Sequence, residues 1–310
     1  MHLMLIPVVA ILGPTAVGKT EIAIEVARAL NGEIVSADSR LLYKGMDIGT
    51  AKPDSDVLKR IPHHLIDVTT PDNPWTMARY IAEARHAIED IHRRGRLPLI
   101  AGGTGQYVQA LLEGWDPPPA ADDTSLRERL KLYAEEHGPQ ALHRQLSEID
   151  PESADHIDYR NVRRVIRALE IYALTGAPAS TQKKKSPPPY RCLKVGLIRP
   201  RAELYARIDA RIESMFAGGL VDEVKTLLAR GYNPALPALS AIGYRQVIDA
   251  LEGKISMDEA MAAIRKLTRQ FVRRQANWWK PDDASIHWFV MEQGVLDSIK
   301  TSIQTWLKQA

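Results

Sequence analysis

The fold of this chain is decided by one stretch near its start, which reads Val8-Val9-Ala10-Ile11-Leu12-Gly13-Pro14-Thr15-Ala16-Val17-Gly18-Lys19-Thr20. The part from Gly13 to Thr20 matches G-x-x-x-x-G-K-[ST], the pattern of a phosphate-binding P-loop. The apolar run before it predicts a buried strand, and the spacing of Ile22, Val26 and Leu30 predicts a helix directly after it. Because a P-loop lies between such a strand and such a helix, the sequence predicts a polyphosphate site at the start of the first helix.

The residue types within this loop suit an anion. Gly13 and Gly18 let the backbone wrap closely around phosphate oxygens, and the free N–H groups and dipole of a helix N-terminus favour negative charge. We expect Lys19 to bind phosphate as a point charge and the Thr20 hydroxyl to ligate Mg²⁺. A chance glycine-rich turn is the alternative, and the motif predicts a polyphosphate rather than a particular reaction.

Length and composition are those of an ordinary globular protein. A chain of 310 residues suits one large domain or two moderate ones, and its net charge of +3 barely argues for nucleic acid. The single cysteine, Cys192, excludes an intramolecular disulfide and a multi-cysteine zinc site, and it fits a reducing cytosol. No run is long enough to cross a membrane, and Met1 to Leu12 lacks the basic start of a signal peptide. We therefore expect a cytoplasmic protein.

Two further strands are predicted to end beside the P-loop. Residues 33–37 predict a strand that ends at Asp38, and residues 97–101 predict another that ends in two glycines and Thr104. The carboxyl ends of strands carry the ligand site in an open parallel sheet, so Asp38 is expected near the phosphate. An Asx-turn or a helix cap explains Asp38 equally well, and an N-cap is the better explanation of Thr104 taken alone. The strand before Thr104 lacks the terminal Asp of a Walker B motif.

A helical block interrupts this α/β pattern. It lies between breaks at Trp115–Ala120 and Pro187–Pro189, and Asp122 to Thr175 has no convincing strand. The prediction is an α/β fold, a P-loop NTPase-like parallel sheet core with an inserted all-helical subdomain and a mainly helical C-terminal part. The expected divisions are residues 1–120, 121–189 and 190–310. Further strands are predicted at residues 63–68, 192–198 and 287–290.

Basic residues cluster in the insertion and again towards the C-terminus. At helical spacing stand Arg160, Arg163, Arg164 and Arg167, followed by the tract Lys183–Lys185. A one-sided arginine stripe favours phosphate contacts, while most charged faces are simply solvated, and the two interpretations stay open. Arg207 and Arg211 share one face of a later predicted helix, and Trp278 and Trp279 are predicted to lie in the core.

Several longer motifs run in order across nearly the whole chain. After the P-loop they are Asp38-Ser39-Arg40-Leu41-Leu42-Tyr43-Lys44-Gly45-Met46-Asp47-Ile48-Gly49-Thr50-Ala51-Lys52-Pro53, Gly102-Gly103-Thr104-Gly105-Gln106-Tyr107, Arg163-Arg164-Val165-Ile166-Arg167-Ala168-Leu169-Glu170, Gly243-Tyr244-Arg245-Gln246, and Thr268-Arg269-Gln270 with Arg273-Arg274-Gln275. In this set the chain closely resembles the bacterial tRNA dimethylallyltransferases, also called tRNA isopentenyltransferases. The block that starts at Asp38 is the most specific. Gln106 and Arg163 depart from the family pattern, which has Leu and commonly Gln there, and both concern the fit of tRNA.

The resemblance implies transfer of a dimethylallyl group from dimethylallyl diphosphate to N6 of adenine 37, beside the anticodon of tRNA. The P-loop would then hold the diphosphate of the donor rather than ATP, with Mg²⁺ on Thr20 as the cofactor. The implied catalytic residues are Asp38 as the base for the N6 proton, Arg207 at the diphosphate and Thr104 at the adenine. A monomer that needs no membrane is expected.

The resemblance also implies a set of residues that bind tRNA. They are Asp38, Ser39, Arg40, Leu41, Thr104, Arg127, Arg163, Arg164, Val165, Ile166, Arg167, Ser240, Ala241, Ile242, Gly243, Tyr244, Arg245, Arg273 and Arg274. Two other functions compete with this one. A small-molecule P-loop kinase would use the helical insertion as a lid, and a non-catalytic RNA-binding protein would use a nucleotide as a switch.

Overall fold

The computed structural model describes residues 5–118, 125–182, 184–186 and 190–309. The chain forms two compact units. Unit 1 comprises Met1–Trp75, Tyr80–Leu112 and Pro189–Ala310, and unit 2 comprises Thr76–Arg79 and Glu113–Pro188. The predicted division between residues 120 and 121, the run Pro187–Pro189 and the side chains of Lys183–Lys185 lie outside the described residues.

The secondary structure follows the sequence patterns closely. The strands are β1 (Ile6–Leu12), β2 (Gly32–Ser36), β3 (His63–His64), β4 (Leu97–Ala101), β5 (Trp115–Asp116), β6 (Lys184–Lys185), β7 (Tyr190–Ile198) and β8 (Ile286–Val290). The helices are α1 (Lys19–Ala29), α2 (Ser55–Arg60), α3 (Met77–Arg93), α4 (Gly105–Leu112), α5 (Ser125–His137), α6 (Pro139–Ile149), α7 (Pro151–His156), α8 (Val162–Thr175), α9 (Arg201–Ala217), α10 (Leu220–Ala229), α11 (Tyr244–Leu251), α12 (Met257–Gln275) and α13 (Val295–Leu307).

A parallel sheet of six strands, in the order β3-β2-β4-β1-β7-β8, forms the centre of unit 1. The central strand β1 places Val9 opposite Leu99 on one side and opposite Leu193 on the other. The run from Val8 to Leu12 is at most 1% exposed. Such unbroken apolar runs form parallel strands that are buried on both faces. The predicted α/β class, with a parallel sheet around a P-loop, is confirmed.

The carboxyl ends of β1, β2, β4 and β7 meet at one edge of this sheet, and two glycines allow the close approach. A Cβ atom on Gly13 would lie 2.7 Å from the carbonyl oxygen of Leu197, and one on Gly102 would lie 2.2 Å from that of Ala37. Any larger residue would push the loops that follow these strands apart. The loops after β1, β2 and β4 therefore surround one small space.

Helices α9 and α12 lie side by side in unit 1, and both carry residues discussed below. α12 starts in a capping box, in which the Ser256 hydroxyl accepts from the Glu259 N–H and the Glu259 carboxylate accepts from the Ser256 N–H. Their shared interface includes ion pairs from Asp209 and Glu213 of α9 to arginines of α12.

Unit 2 holds α5 to α8 around its own small core, which includes Leu142, Leu146 and Val165. In the described residues it also holds β5 and β6, a short antiparallel pair, so the expectation of an all-helical insertion is wrong at this point. α8 begins at Val162, because the Asn161 side chain caps it. Arg160 precedes the helix and pairs with Asp158, which corrects the predicted stripe of four arginines.

Two other predictions are corrected in unit 1. The strand predicted at residues 63–68 is only His63–His64, because Leu65 and Asp67 have positive φ angles of 64° and 56°, which end the extended conformation. Trp278, predicted to lie in the core, is 39% exposed. Among the described residues, none of the helices combines the length and the apolar character that crossing a bilayer requires.

Candidate active site

The P-loop has the conformation that its glycines permit. Gly13 and Gly18 have φ angles of 141° and 114°, in the region that favours glycine. The loop ends where α1 begins, at Lys19, and the backbone N–H groups of Gly18, Lys19 and Thr20 donate to no group in the described part of the chain. These N–H groups lie at a helix N-terminus and are available to an anion.

Lys19 lies folded back along the loop. Its Nζ donates to the carbonyl oxygens of Gly13 at 2.9 Å and Pro14 at 2.8 Å. Burial lowers the pKa of Lys19 to about 8, with Asp38 raising it and Arg211 lowering it further. Burial therefore destabilises the charged form of Lys19, and a bound phosphate would stabilise it.

Three arginines surround the loop. Arg207, which the sequence predicted, donates from Nε to the Ala16 oxygen at 2.8 Å and pairs through Nη2 with Glu21 at 3.1 Å. Arg199 donates from Nε to the Val17 oxygen at 3.0 Å. Arg211 lines the same cleft and makes no hydrogen bond or ion pair with any described residue.

Sequence reasoning did not assign Arg199 or Arg211 to the site, although signals for both were present. Arg211 follows Arg207 by four residues on α9, so the two lie on the same face of the helix. Arg199 follows the carboxyl end of β7, which pairs with β1 directly before the loop. Arg211 therefore places a cation in the cleft, whereas Arg199 holds the loop at Val17.

Asp38 lies at the end of β2, where the sequence predicted it. Its Oδ1 accepts from the Arg40 N–H at 2.9 Å, which is an Asx-turn. Its Oδ2 lies beside Gly103, 3.0 Å from where a Cβ of that residue would stand. Since one carboxylate oxygen forms the turn and the other is left for the cleft, the two interpretations of Asp38 are compatible.

Thr104 connects the loops after β2 and β4. Its Oγ1 accepts from the Ser39 N–H at 2.9 Å and donates to the Ser39 Oγ at 3.2 Å, while its own N–H donates to the Ala37 oxygen at 3.0 Å. Thr104 thus fixes the position of the segment that carries Asp38.

Gln275, the last residue of α12, connects two of these loops. The residue is only 4% exposed. Its Oε1 accepts from the Thr15 N–H at 2.8 Å, and its Nε2 donates to the Gly103 oxygen at 2.8 Å. Gln275 belongs to a quoted motif, yet nothing in the spacing of that motif predicts this bridge.

The resulting cleft has a volume of about 780 Å³, counting the part that is open to solvent. Its charged end contains Lys19, Arg207 and Arg211, and its apolar lining includes Ile34, Leu41, Ala51, Pro53 and Ile66. No group of three or more His, Cys, Asp or Glu side chains in the described residues is arranged to hold a metal ion. A Mg²⁺ ion at Thr20 would therefore take most of its ligands from substrate and water.

The loop at residues 47–49, within the most specific sequence block, is closed by an internal carboxylate. Glu223 accepts from the N–H groups of Asp47, Ile48 and Gly49, at 2.9, 2.7 and 3.1 Å, and from the Tyr244 hydroxyl at 2.6 Å. Burial, followed by the charge of Glu223, raises the pKa of Tyr244 well above its usual range, so its hydroxyl remains a donor.

The residues of unit 1 that were predicted to bind tRNA divide into exposed and buried groups. Exposed or half-buried are Ser39, Arg40, Leu41, Ser240, Ile242, Arg245, Arg273 and Arg274. Ala241, Gly243 and Tyr244 are buried, and the side chain of Tyr244 is wholly inaccessible, so the predicted contact of this segment with tRNA rests on its exposed residues. Arg40 and Arg245 donate to the carbonyl oxygens of Pro237 and Pro234, both at 2.9 Å.

In unit 2, part of the predicted tRNA surface is used internally. Arg127 forms two hydrogen bonds of 2.6 Å with Glu170, and Arg167 donates to the Pro118 oxygen at 3.0 Å. Val165 and Ile166 are at most 3% exposed and pack in the core of unit 2, so their predicted contact with tRNA has no exposed side chain behind it. Arg163 and Arg164 are exposed.

Comparison with known proteins gives consistent results. The family model described as IPP transferase matches residues 41–282. The tRNA dimethylallyltransferase of Thermomicrobium roseum is 46% identical over 304 residues, which cover 98% of this chain and 92% of the relative. That of Chloroflexus aurantiacus is 50% identical over 286 residues, covering 89% and 97%.

Two solved structures extend the comparison. The tRNA isopentenylpyrophosphate transferase of Bacillus halodurans is 39% identical, with a TM-score of 0.71 and coverage of 98% of this chain and 96% of that one. A eukaryotic dimethylallyltransferase acting on tRNA is 25% identical, with a TM-score of 0.80 and coverage of 98% and 79%.

Proposed function

The chain belongs to the IPP transferase family, and from that premise we propose that it transfers a dimethylallyl group from dimethylallyl diphosphate to N6 of adenine 37, beside the anticodon of tRNA. It is a prenyltransferase that modifies tRNA, like its relatives. The adenine position, the monomeric state and the assignment of individual site residues belong to the proposal.

One observation carries the proposal within this chain. The N–H groups of Gly18, Lys19 and Thr20 lie beside the cations Lys19, Arg207 and Arg211. The sequence predicted one carboxylate in the cleft, that of Asp38, and it follows β2 rather than β4. This arrangement supports a site that holds a diphosphate leaving group next to a base. It differs from the Walker B arrangement that organises phosphoryl transfer.

The reaction forms the bond between adenine N6 and the allylic C1 of the donor and breaks the bond between C1 and the bridging oxygen. The diphosphate leaves with the bonding electron pair, so negative charge grows at the P-loop. Lys19, Arg207, Arg211 and the free N–H groups would stabilise that charge, as preorganised donors do at a developing anion.

The amine loses one proton in the same reaction. Asp38 Oδ2 would accept it, while Oδ1 keeps the carboxylate oriented through the Arg40 N–H. Thr104 would hold this segment in register, and Gln275 would hold it against the P-loop. The Thr20 hydroxyl would hold Mg²⁺, which would supply further positive charge against the leaving group.

Adenine 37 lies in a stacked anticodon arm, so it must be turned out of the stack to enter the cleft. Exposed cations would hold the RNA, among them Arg163 and Arg164 in unit 2 and Arg274 in unit 1.

The decisive experiment supplies tRNA and dimethylallyl diphosphate labelled in its carbon tail. Label in the RNA, at N6 of adenine 37 after nucleoside analysis, is expected. A kinase would instead move phosphate from labelled ATP, and a non-catalytic binder would retain RNA without modifying it. RNA without label, under conditions in which it binds, would contradict the proposal.

A further inference from the structure

A second basic site lies in unit 1, away from the P-loop. It is a groove between α9 and α12 of about 820 Å³, counting the part open to solvent, and its lining includes Arg201, Tyr205, Arg265, Lys266, Arg269 and Arg273. We propose that this groove binds the phosphodiester backbone of the tRNA substrate. The inference rests on tRNA being the substrate. The resemblance placed residues 268–275 against tRNA, which includes Arg269 and Arg273 of this lining, but it assigned no role to Arg201, Tyr205, Arg265 or Lys266.

The charges of the groove divide into a paired set and a free set. Arg269 pairs with Asp209 at 2.6 Å and Arg265 pairs with Glu213 at 2.8 Å, which fixes α12 against α9. Lys266 and Arg273 are exposed and have no ion-pair or hydrogen-bond partner among the described residues. Arg201 is also exposed, and within the described part of the chain it donates only to the Tyr205 hydroxyl, at 2.8 Å. Three cations are therefore left for a ligand.

Tyr205 orients the guanidinium groups around it. The carbon at the centre of the Arg201 guanidinium lies 5.3 Å from the centroid of the Tyr205 ring, and that of Arg269 lies 5.1 Å away. Contacts of this kind hold a guanidinium without neutralising its charge. A planar guanidinium held in place forms paired hydrogen bonds with phosphate oxygens at a lower entropic cost.

The length of the groove selects a ligand with repeated phosphates. Lys266 and Arg273 are seven residues apart on α12, a separation of about 10 Å at 1.5 Å per residue. The backbone of a nucleic acid strand presents successive phosphates that can contact both cations, whereas one small anion would need both side chains to bend towards each other. In the described residues, none of the exposed large apolar side chains lies on α9 or α12. A membrane-surface helix presents such side chains to the lipid, so the groove favours RNA.

The test measures tRNA affinity against salt concentration for the full chain and two double variants. The variant Arg201→Ala with Lys266→Ala removes two free cations of the groove. The control, Arg28→Ala with Lys225→Ala, removes the same charges from exposed sites on α1 and α10. Each phosphate contact contributes about 0.7 to 0.9 to the magnitude of the slope of log affinity against log salt. The slope of the groove variant should therefore be smaller in magnitude by about 1.4 to 1.8. The control should keep the wild-type slope.

Further measurements keep the outcome unambiguous. The charge-conserving variant Arg201→Lys with Lys266→Arg should keep most of the slope, which excludes misfolding as the cause. Single-turnover transfer at limiting tRNA should fall in the groove variant with its loss of affinity, whereas the control variant should keep the wild-type rate. Binding to vesicles of equal parts phosphatidylserine and phosphatidylcholine is measured in parallel.

A groove variant with the same slope as the control overturns the inference, as does a variant that loses only vesicle binding. Each of these results leaves label transfer, and therefore the proposed function, intact. The groove and control variants could instead differ in salt slope as expected while the wild-type protein transfers no label to tRNA. That result would contradict the proposed function.

Discussion

Two loops of unit 1 use the same backbone arrangement for opposite purposes. The P-loop presents the N–H groups of Gly18, Lys19 and Thr20 without an acceptor among the residues that the structure describes, whereas the N–H groups of residues 47–49 converge on the carboxylate of Glu223. Successive N–H groups of this kind form a concave site for an anion. In one loop the anion is part of the chain and the loop is complete; in the other it must come from outside. The comparison indicates that the first loop serves binding and the second serves stability.

The largest expected effect is on the open loop. Lys19→Ala should lower the rate of prenyl transfer by about 10³-fold, because it removes the charge closest to the leaving diphosphate. The melting temperature should stay at the wild-type value, since the ammonium group is held at a cost in the absence of ligand. Single-turnover transfer and a thermal melt measure the two effects. Normal transfer by this variant would contradict the role of the P-loop.

The second-largest effect is expected at Asp38, the proposed base beside the P-loop. Asp38→Asn keeps the shape and the acceptor that forms the Asx-turn but removes the basicity, so transfer should slow on the order of a hundredfold. Single-turnover transfer with both substrates saturating measures it, and tRNA affinity serves as the control. If transfer continues at the wild-type rate, Asp38 only forms a turn, and the departing diphosphate must take the proton.

The closed loop should respond in stability instead. Glu223→Gln replaces one acceptor oxygen by a donor that faces other donors, which should cost about 2 to 3 kcal/mol in the free energy of unfolding. Chemical denaturation measures this cost. The neighbouring Asp222 has an 80% exposed side chain, and Asp222→Asn should change stability by less than about 0.5 kcal/mol. Equal stability for the two variants would show that the carboxylate does not hold the loop.

A smaller effect concerns pH. Because burial lowers the pKa of Lys19 to about 8, the free protein loses this cation as pH rises through that value. The affinity for dimethylallyl diphosphate without tRNA should therefore fall by about tenfold per pH unit above pH 8. Lys19→Arg keeps its charge throughout and should bind with little dependence on pH in this range. Parallel profiles for the two proteins would exclude Lys19 as the titrating group.

The smallest effect is expected in unit 2. Arg163→Ala with Arg164→Ala removes two exposed cations, so the salt dependence of tRNA affinity should decrease by about 1.4 to 1.8 in slope. Removing Arg160, which is paired with Asp158 outside α8, should change the slope less. Dimethylallyl diphosphate affinity should be unaffected in both. An unchanged slope for the double variant would mean that this face of α8 is only solvated.

The sequence predicted the parts of this structure that local patterns determine. The P-loop and the ends of β2 and β4 follow from motifs and periodicity, whereas Arg207 was assigned from the family resemblance. The structure brings these parts together. Glu223 and Gln275 could not be predicted, because the loops that they bind lie 172 or more residues away and no spacing marks them. Val165 and Ile166 were assigned to tRNA because a motif includes both faces of its helix, and only the fold shows which face is buried.

The bridge formed by Gln275 has a consequence for how the protein is made. Residues 15, 103 and 275 must come into contact before the cleft is complete. The central strand β1 also gains its second neighbouring strand only after β7 has been synthesised. Chains emerge from the ribosome at about 5–20 residues per second, so the first loop is synthesised many seconds before the residue that fixes it. Contacts of such long sequence separation also form late in folding. Catalytic competence is thus acquired last, and a nascent or truncated chain that already holds the P-loop has no finished site.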